Sequence, residues 1–139
     1  MADTTLFELV SPEKLIMSKN VSMVVVPGTD GLFGVLPRHT SMLSTLGPGV
    51  IKIYEGDKLT ESLFVVNGFA EVTEERCTVL AEEVFELDKL DIEGLEGKIS
   101  DLHNSAKDAR DEELVILNKL ISEKEKILLA MQATKKSPS

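Results

Sequence analysis

The sequence has few of the residues on which catalysis, disulfide formation or membrane insertion depends. Its 139 residues include one cysteine, Cys77, two histidines and no tryptophan. One cysteine excludes an internal disulfide. No apolar run approaches the roughly 20 residues that a helix needs to cross a bilayer, and residues 1–6 lack the pattern of a signal peptide. We therefore expect a cytosolic protein that meets a membrane only through partners.

Clustered positive charge is also absent. Residues 1–87 carry 6 basic and 13 acidic side chains, which gives a net charge of −7, and residues 88–139 carry 9 and 11, which gives −2. A protein that binds nucleic acid needs basic side chains grouped against phosphate. The charge pattern therefore argues against nucleic acid as a partner.

No motif for catalysis or cofactor binding is present. The sequence lacks the G-x-x-x-x-G-K-[ST] loop that cradles phosphates, and neither His39 nor His103 has neighbours at metal-ligand spacing. Gly28, Gly31 and Gly34 fit the needs of a turn better than those of a nucleotide site. We predict a protein without catalytic residues, cofactor or metal, whose surfaces carry its function.

Residues 1–87 predict an antiparallel β-sandwich or barrel. Short β-branched runs such as Val21–Val26 are separated by Gly and Pro at regular spacing, as in 27–31. Asn67-Gly68 predicts a β-hairpin, because both central positions of its tightest turn need positive φ. Cys77 lies in an alternating segment with no histidine beside it, which predicts a buried structural thiol.

Residues 88–139 predict two amphipathic helices that form an antiparallel hairpin. Ile92, Leu95, Ile99 and Leu102 recur at helical spacing. His103-Asn104-Ser105 interrupts the pattern, with Ser105 as the expected N-cap of the second helix. The apolar stripes are narrow, and Gly94 and Gly97 each weaken the first helix by about 1 kcal/mol. We expect this hairpin to be only marginally stable by itself.

Four ordered blocks of sequence carry a family resemblance. They are VPGTDGLFGVLPRHT at 26–40, LGPGV at 46–50, VNGFAEV at 66–72 and VLAE at 79–82. Together they closely resemble the epsilon subunits of F-type ATP synthases. The resemblance implies a sandwich of about ten strands over 1–87 and a regulatory two-helix hairpin over 88–139.

The resemblance also implies a function and partners. The chain would be a non-catalytic subunit of the rotor, at the cytoplasmic face of the bacterial inner membrane. Its sandwich would join the gamma subunit to the ring of c subunits, so that proton-driven rotation of the ring is coupled to ATP synthesis. The hairpin would reach the alpha and beta subunits when it extends and would inhibit ATP hydrolysis.

Particular residues of this chain match the family's interfaces. The c-ring side would comprise Thr29, Asp30, Gly31, Leu32 and His39. Ser11 and Ser44 match positions near gamma. Lys119, Lys124 and Lys126 are candidate contacts with acidic surfaces of beta, and a simply solvated helix face is the alternative interpretation.

A nucleotide motif of some family members is only partly present. It begins Ile/Leu-Asp-x-x-Arg-Ala, and the matching residues 90–95 read Leu-Asp-Ile-Glu-Gly-Leu. Gly94 stands in place of the arginine and Leu95 in place of the alanine, so we expect weak ATP binding or none. The main alternative function is a soluble adapter or chaperone-like module that presents a helical hairpin to a partner.

Overall fold

The computed structural model describes residues 3–136, which form eight strands followed by two helices. The chain divides after Asp88 into two compact units, one of strands and one of helices. The strands are β1 (Thr5–Val10), β2 (Leu15–Val21), β3 (Met23–Gly28), β4 (Gly31–Val35), β5 (Met42–Leu46), β6 (Gly49–Glu55), β7 (Lys58–Val72) and β8 (Arg76–Glu86). The predicted class, a β-sandwich followed by two helices, is confirmed.

The strand order places the first and last strands of the sandwich side by side. Along the sheet the order is β2-β1-β8-β7-β5-β3-β4, and β6 pairs with both β3 and β7. Strands β1 and β8 are parallel, with Leu6 opposite Arg76 and Val10 opposite Leu80. The other pairings are antiparallel. Strands β2 and β4 are therefore the ends of this order.

The sandwich core consists mainly of aliphatic and aromatic side chains, and along several strands they alternate with less buried residues. Phe7 and Leu9 of β1, for example, are fully buried, whereas Leu6 and Glu8 between them are only half-buried. The same alternation is seen on β6 and at the start of β8, whereas β7 has three consecutive buried residues, Phe64, Val65 and Val66. The members of this core are Phe7, Leu9, Val21, Val24, Val26, Val35, Leu46, Ile51, Ile53, Val65, Ala70, Val72, Cys77, Val79 and Ala81.

Asn67-Gly68 does not form the predicted hairpin, and that prediction is wrong. Both residues have positive φ, 55° and 124°, but they lie inside β7. The first half of β7 pairs with β6 and the second half with β5, and β8 pairs with it from Leu63 onward. Leu63 and Val65 face the core before this point, and Ala70 and Val72 face it afterwards. The two residues are thus a bend at which the strand exchanges its faces.

Gly68 is required at this bend by the close approach of the neighbouring strand. A Cβ on Gly68 would lie 1.9 Å from the carbonyl oxygen of Leu80. The segments on either side, which the sequence analysis took as separate strands, are one strand of 15 residues. This is one reason why the structure has eight strands rather than about ten.

The helical unit contains α1 (Ile92–Asp108) and α2 (Asp111–Lys136), preceded by a single 3-10 turn at Leu87–Lys89. The predicted break at His103-Asn104-Ser105, with an N-cap at Ser105, is wrong, because α1 continues to Asp108. The three polar side chains are exposed, and the apolar stripe continues past them from Leu102 to Ala106, so nothing forces the helix to end there. The helices are joined at Ala109-Arg110.

Candidate interaction surfaces

An exposed apolar face covers the outer side of the sandwich where β5, β7, β8 and β1 lie together. Thr45, Phe69, Leu80 and Val10 stand in one row across the four strands. Phe69 and Leu80 are half exposed, and Leu43, two residues along β5, is 69% exposed. At about 4.8 Å per strand the row is roughly 14 Å wide. Exposed apolar side chains grouped on a rigid sheet indicate a protein interface.

This outer apolar face was not predicted from the sequence. A signal for it was present, because Ala70 and Val72 occupy the core side of β7. Phe69 therefore falls on the side that alternation assigns to solvent. An aromatic residue in that position indicates a contact outside the fold, and the same reasoning applies to Leu80 between Val79 and Ala81.

Ser11 and Ser44 lie at opposite sides of the outer apolar face. Ser11 follows Val10 directly, at the end of the row, and its Oγ lies 3.3 Å from the carbonyl oxygen of Lys14. Ser44 precedes Thr45 at the other end, is half-buried, and donates to the carbonyl oxygen of Thr45 at 3.1 Å. The backbones of the two serines therefore lie at the two ends of the row, whereas the Ser44 side chain, opposite Ala70, is on the core side of β5.

The β3–β4 hairpin forms a projecting tip. Thr29 and Asp30 are its two exposed loop residues, and Gly31 has φ 128°. Leu32 follows and is 72% exposed, more than any other large hydrophobic side chain in residues 3–136. The backbone N–H of Thr29 donates to the carbonyl oxygen of Thr45 at 3.0 Å, which anchors the tip to β5.

His39 lies at the other end of β4, so the structure does not bring it together with the tip. The segment around it contacts the β7–β8 turn, because the N–H of Arg38 donates to the carbonyl oxygen of Glu74 at 3.2 Å. Arg38 has φ 63°, which fixes the backbone beside His39 in the left-handed region. Nδ1 of His39 lies 2.7 Å from the carbonyl oxygen of Thr40. Its ring is thus engaged with its own loop.

The three candidate lysines of α2 do not share one face. Lys119 and Lys126 are exposed and seven residues apart, which places them on the same side of the helix. Val115 and Leu129, which are 68% and 67% exposed, lie on that side too. We call these four residues the outer face of α2.

Lys124 points elsewhere. It is half-buried and lines a groove of about 270 Å³ between α1 and α2, opposite Lys98 and Asp101. At 100° per residue it stands about 160° around the helix from Lys126. Lys124 therefore belongs to the packing of the hairpin rather than to its outer face.

Cys77 is fully buried within the sandwich core. Burial raises the pKa of its thiol to about 12, because a thiolate is poorly solvated among apolar neighbours. At neutral pH the group is therefore a thiol without nucleophilic character. The prediction of a buried structural cysteine is confirmed.

Comparison with known proteins decides the family. The sequence pattern described as "ATP synthase, Delta/Epsilon chain, beta-sandwich domain" matches residues 4–87. The ATP synthase epsilon chain of Rhodospirillum rubrum is 54% identical over 112 residues, which cover 81% of this chain and 84% of that one. The epsilon chain of Sinorhizobium medicae is 38% identical over 127 residues, which cover 91% and 95%. The chain belongs to the ATP synthase epsilon family.

The fold agrees with this assignment at a greater distance. A chain in the structure of the Euglena gracilis mitochondrial ATP synthase, which contains OSCP, F1 and the c-ring, superposes with a TM-score of 0.74. It is 19% identical in sequence, and the match covers 94% of this chain and 80% of that one. This member of the epsilon family and the Euglena gracilis chain thus share a fold, although little sequence similarity remains between them. No helix within residues 3–136 is long and apolar enough to cross a membrane.

The start of α1 shows what replaces the family's nucleotide motif in this chain. The carboxylate of Asp91 caps the helix and accepts a hydrogen bond of 2.9 Å from the N–H of Gly94. The Gly94 N–H needs this partner, because the N–H groups in the first turn of a helix have no acceptor within the helix. Here Asp91 serves the helix, and Gly94 contributes no side chain to a ligand.

Proposed function

We propose that this epsilon chain is a non-catalytic rotor subunit whose outer apolar face binds the gamma subunit. The observation that carries the proposal is the row from Val10 to Thr45, with Phe69 and Leu80 half exposed beside Leu43. The bracketing positions Ser11 and Ser44 are those that the resemblance assigns to the neighbourhood of gamma. A flat apolar surface on a rigid sheet suits a permanent partner, because obligate interfaces resemble a protein core.

A charge in the middle of this face tests the proposal. We expect Phe69→Asp to weaken the affinity for gamma, measured by co-purification, by about thirtyfold or more, since a buried unpaired charge costs roughly 2–5 kcal/mol. Leu59→Asp is the matched control, because Leu59 is 39% exposed on the same strand but outside the row. Equal loss of gamma with both variants, or with neither, would contradict the assignment of this face.

The β3–β4 tip is proposed to contact the c-ring, so that the sandwich links ring and gamma and couples their rotation to ATP synthesis at the cytoplasmic face of the membrane. Leu32 supports this proposal, because a large apolar side chain that is 72% exposed at the tip fits contact with a partner better than contact with water. Thr29, Asp30 and Gly31 would approach the ring with it. The resemblance also assigns His39 to this contact, although it lies at the other end of β4.

Coupling measurements separate the two ends of β4. Leu32→Asp should lower proton pumping per ATP hydrolysed in membrane vesicles, at a cost of about 2–5 kcal/mol at the joint. Leu36 is 55% exposed at the end of the strand near His39, and Leu36→Asp should leave pumping unchanged. Full coupling by an incorporated Leu32→Asp subunit would place the ring contact elsewhere.

The helical hairpin is proposed to inhibit ATP hydrolysis through contacts with alpha and beta. The outer face of α2 combines two lysines with two exposed apolar side chains, which suits an acidic surface with apolar patches. Removal of residues 89–139 should raise ATP hydrolysis by the assembled complex. Lys119→Glu with Lys126→Glu should have the same effect, and Lys124→Glu, inside the groove, is the matched control.

We further propose that the hairpin does not sense ATP. A triphosphate held without a phosphate-binding loop needs guanidinium or ammonium groups, and position 94 offers none because the residue there is glycine. Calorimetric titration of the whole chain should give no binding or a dissociation constant far above the micromolar range. A micromolar constant would show that other residues have rebuilt the site.

A further inference from the structure

Strand β4 lies at one end of the strand order and has a neighbour on one side only. It pairs with β3, from Gly28 opposite Gly31 to Val24 opposite Val35, without a register shift. No other strand within residues 3–136 pairs with it. The second edge of β4 is therefore unpaired in the strand unit.

Two hydrogen bonds near the tip fix the direction of the backbone groups of β3. The carbonyl oxygen of Pro27 accepts from the N–H of Gly47 at 3.0 Å, and the N–H of Thr29 donates to the carbonyl oxygen of Thr45 at 3.0 Å. Thr45 belongs to β5, and Gly47 directly follows that strand. Pro27 therefore directs its carbonyl group toward β5 and away from β4.

It follows that two residues of β4 direct their backbone groups out of the unpaired edge. In an antiparallel pair, positions that exchange hydrogen bonds alternate with positions whose groups point away from each other. Pro27 is opposite Leu32, and Val25 is opposite Gly34 two positions along, so both pairs are of the second kind. We call the outward N–H and C=O groups of Leu32 and Gly34 the free edge of β4.

The free edge ends at the turn that follows β4. The carbonyl oxygen of Leu36 is occupied there, because it accepts from the N–H of His39 at 3.1 Å. The four open main-chain groups thus lie between this turn and the tip at Thr29 and Asp30. His39 marks the end of the free edge rather than a part of it.

The free edge lacks the features that protect sheet edges from other chains. Such edges usually carry charged side chains, proline or a bulge. At the opposite end of the strand order, β2 carries Lys19, which is paired with Glu55 and Glu61. Strand β4 reads Gly-Leu-Phe-Gly-Val, without charge or proline. Leu32 is 72% exposed, and Gly34 is exposed and has no side chain, so the edge is open to another chain.

An extended chain fits the free edge better than a helix, because the main-chain groups of a helix are bonded within it. The free edge continues from the β3–β4 tip, and Leu32 belongs to both. An extended segment that meets the tip reaches Gly34 after about 7 Å along β4. The c-ring, which is the partner proposed at the tip, therefore lies in line with the free edge.

We propose that an extended loop segment of the c-ring adds to β4 as a further strand, with main-chain hydrogen bonds to Leu32 and Gly34. The side chain of Leu32 packs on an apolar residue of that segment, and the missing side chain at Gly34 leaves space beside it. This inference rests on the proposed contact between the tip and the ring. It specifies the chemistry of that contact, which is made by the main chain as well as by Leu32.

Amide hydrogen exchange of the full chain, alone and in the assembled synthase, tests the proposal. Mass spectrometry with overlapping fragments measures it. In the isolated chain Leu32 and Gly34 should exchange fast, and Phe33 and Val35 slowly, because only the latter two donate to β3. In the synthase all four amides should exchange slowly.

Two results of this measurement would overturn the proposal. One is fast exchange of Leu32 and Gly34 in the assembled synthase. The other is protection in the isolated chain that grows with its concentration, which would assign the free edge to a second copy of the chain.

Two substitutions at one position separate the main-chain contact from other effects. Gly34→Pro removes the outward N–H, a change that an edge strand tolerates. Gly34→Ala keeps this N–H and is the matched control, since its Cβ would meet only Sδ of Met23, at 3.6 Å. Gly34→Pro should weaken binding of the ring, measured by co-purification over a dilution series, about five- to fiftyfold, because an acceptor is left unpaired. Gly34→Ala should bind as the wild type does.

The variants also distinguish this proposal from the tip contact on which it rests. Reduced coupling by Leu32→Asp together with wild-type binding by Gly34→Pro would retain the tip contact and overturn the added strand. Normal coupling by Leu32→Asp, with fast exchange at the free edge in the synthase, would remove both. Circular dichroism shows whether Gly34→Pro folds, and if it does not, exchange in the wild-type synthase decides alone.

Discussion

The strand unit and the helical unit bury their side chains to different degrees. Phe7, Leu9, Ile51 and Ile53 are among the sandwich residues with no exposed surface at all. In the helical unit the most buried residues, such as Ile121 and Ile99, retain 5% and 8%. A complete core fixes one conformation, whereas a thin two-helix layer has little free energy to lose when it changes its packing. The comparison agrees with a fixed platform and an adjustable hairpin.

The largest effect is expected from an alanine in the sandwich bend. Gly68→Ala places a methyl group within 1.9 Å of a backbone oxygen at φ 124°, which no side-chain rotation can relieve. We expect a loss of more than about 4 kcal/mol, or failure of the sandwich to fold. Urea unfolding followed by the fluorescence of Tyr54, the single tyrosine, measures it. A variant of near wild-type stability would mean that β7 bends differently.

Truncation of one buried isoleucine in each unit tests the difference in burial directly. Ile53→Ala should cost about 2–5 kcal/mol, and Ile121→Ala about 1–2 kcal/mol, because neighbouring side chains in a thin layer can collapse into the space. Circular dichroism at 222 nm follows the helices and Tyr54 fluorescence follows the sandwich. Equal costs at the two positions would remove the distinction between the units.

Gly97 offers a glycine substitution of the opposite sign. It is exposed in α1, and a Cβ there would meet no atom within 4 Å. Gly97→Ala should stabilise the helical unit by about 0.5–1 kcal/mol. The measurement is the helical transition in thermal unfolding, and the Tyr54 signal of the sandwich serves as the internal control. A loss of stability would indicate a close contact at this position.

The smallest effect concerns an ion pair at one end of the sandwich. Nζ of Lys19 on β2 contacts carboxylate oxygens of Glu61 and Glu55, the latter at 3.3 Å. Hydrogen bonds to Glu61 and then Glu55 raise the pKa of Lys19 above its ordinary value of 10.5, against the opposing effect of desolvation. Because the group is partly exposed, we expect Lys19→Gln to cost only about 0.2–1 kcal/mol.

The pH dependence of that cost follows from the direction of the shift. A raised pKa in the folded state means that the stabilisation is complete below about pH 10.5 and is lost as the pH rises through the folded value. The unfolding free energies of wild type and Lys19→Gln should therefore converge in alkaline solution. Lys58→Gln, which removes a lysine outside this ion pair, provides the control.

Local patterns predicted those features that local chemistry determines. The Thr29-Asp30 loop, the buried Cys77 and the change from strands to helices near residue 88 all follow from neighbouring residues. The hairpin predicted at Asn67-Gly68 was wrong because positive φ at both residues is compatible with a hairpin turn and with a bend inside a strand. Only the pairing of β7 with the distant β8 decides between the two. The break expected at 103–105 failed for a related reason, since exposed polar residues do not end a helix whose stripe continues. The outer apolar face required knowing which side of β7 meets the core.

The parallel pairing of β1 with β8 has a consequence during synthesis. Leu6 can pair with Arg76 only after the 70 further residues up to Arg76 have been synthesised. At roughly 5–20 residues per second the ribosome needs about 4–14 s to supply this partner. During that time β1, which carries the core residues Phe7 and Leu9, can pair with β2 but not with β8. The nascent sandwich is thus exposed to aggregation and open to chaperones until its last strand has left the ribosome.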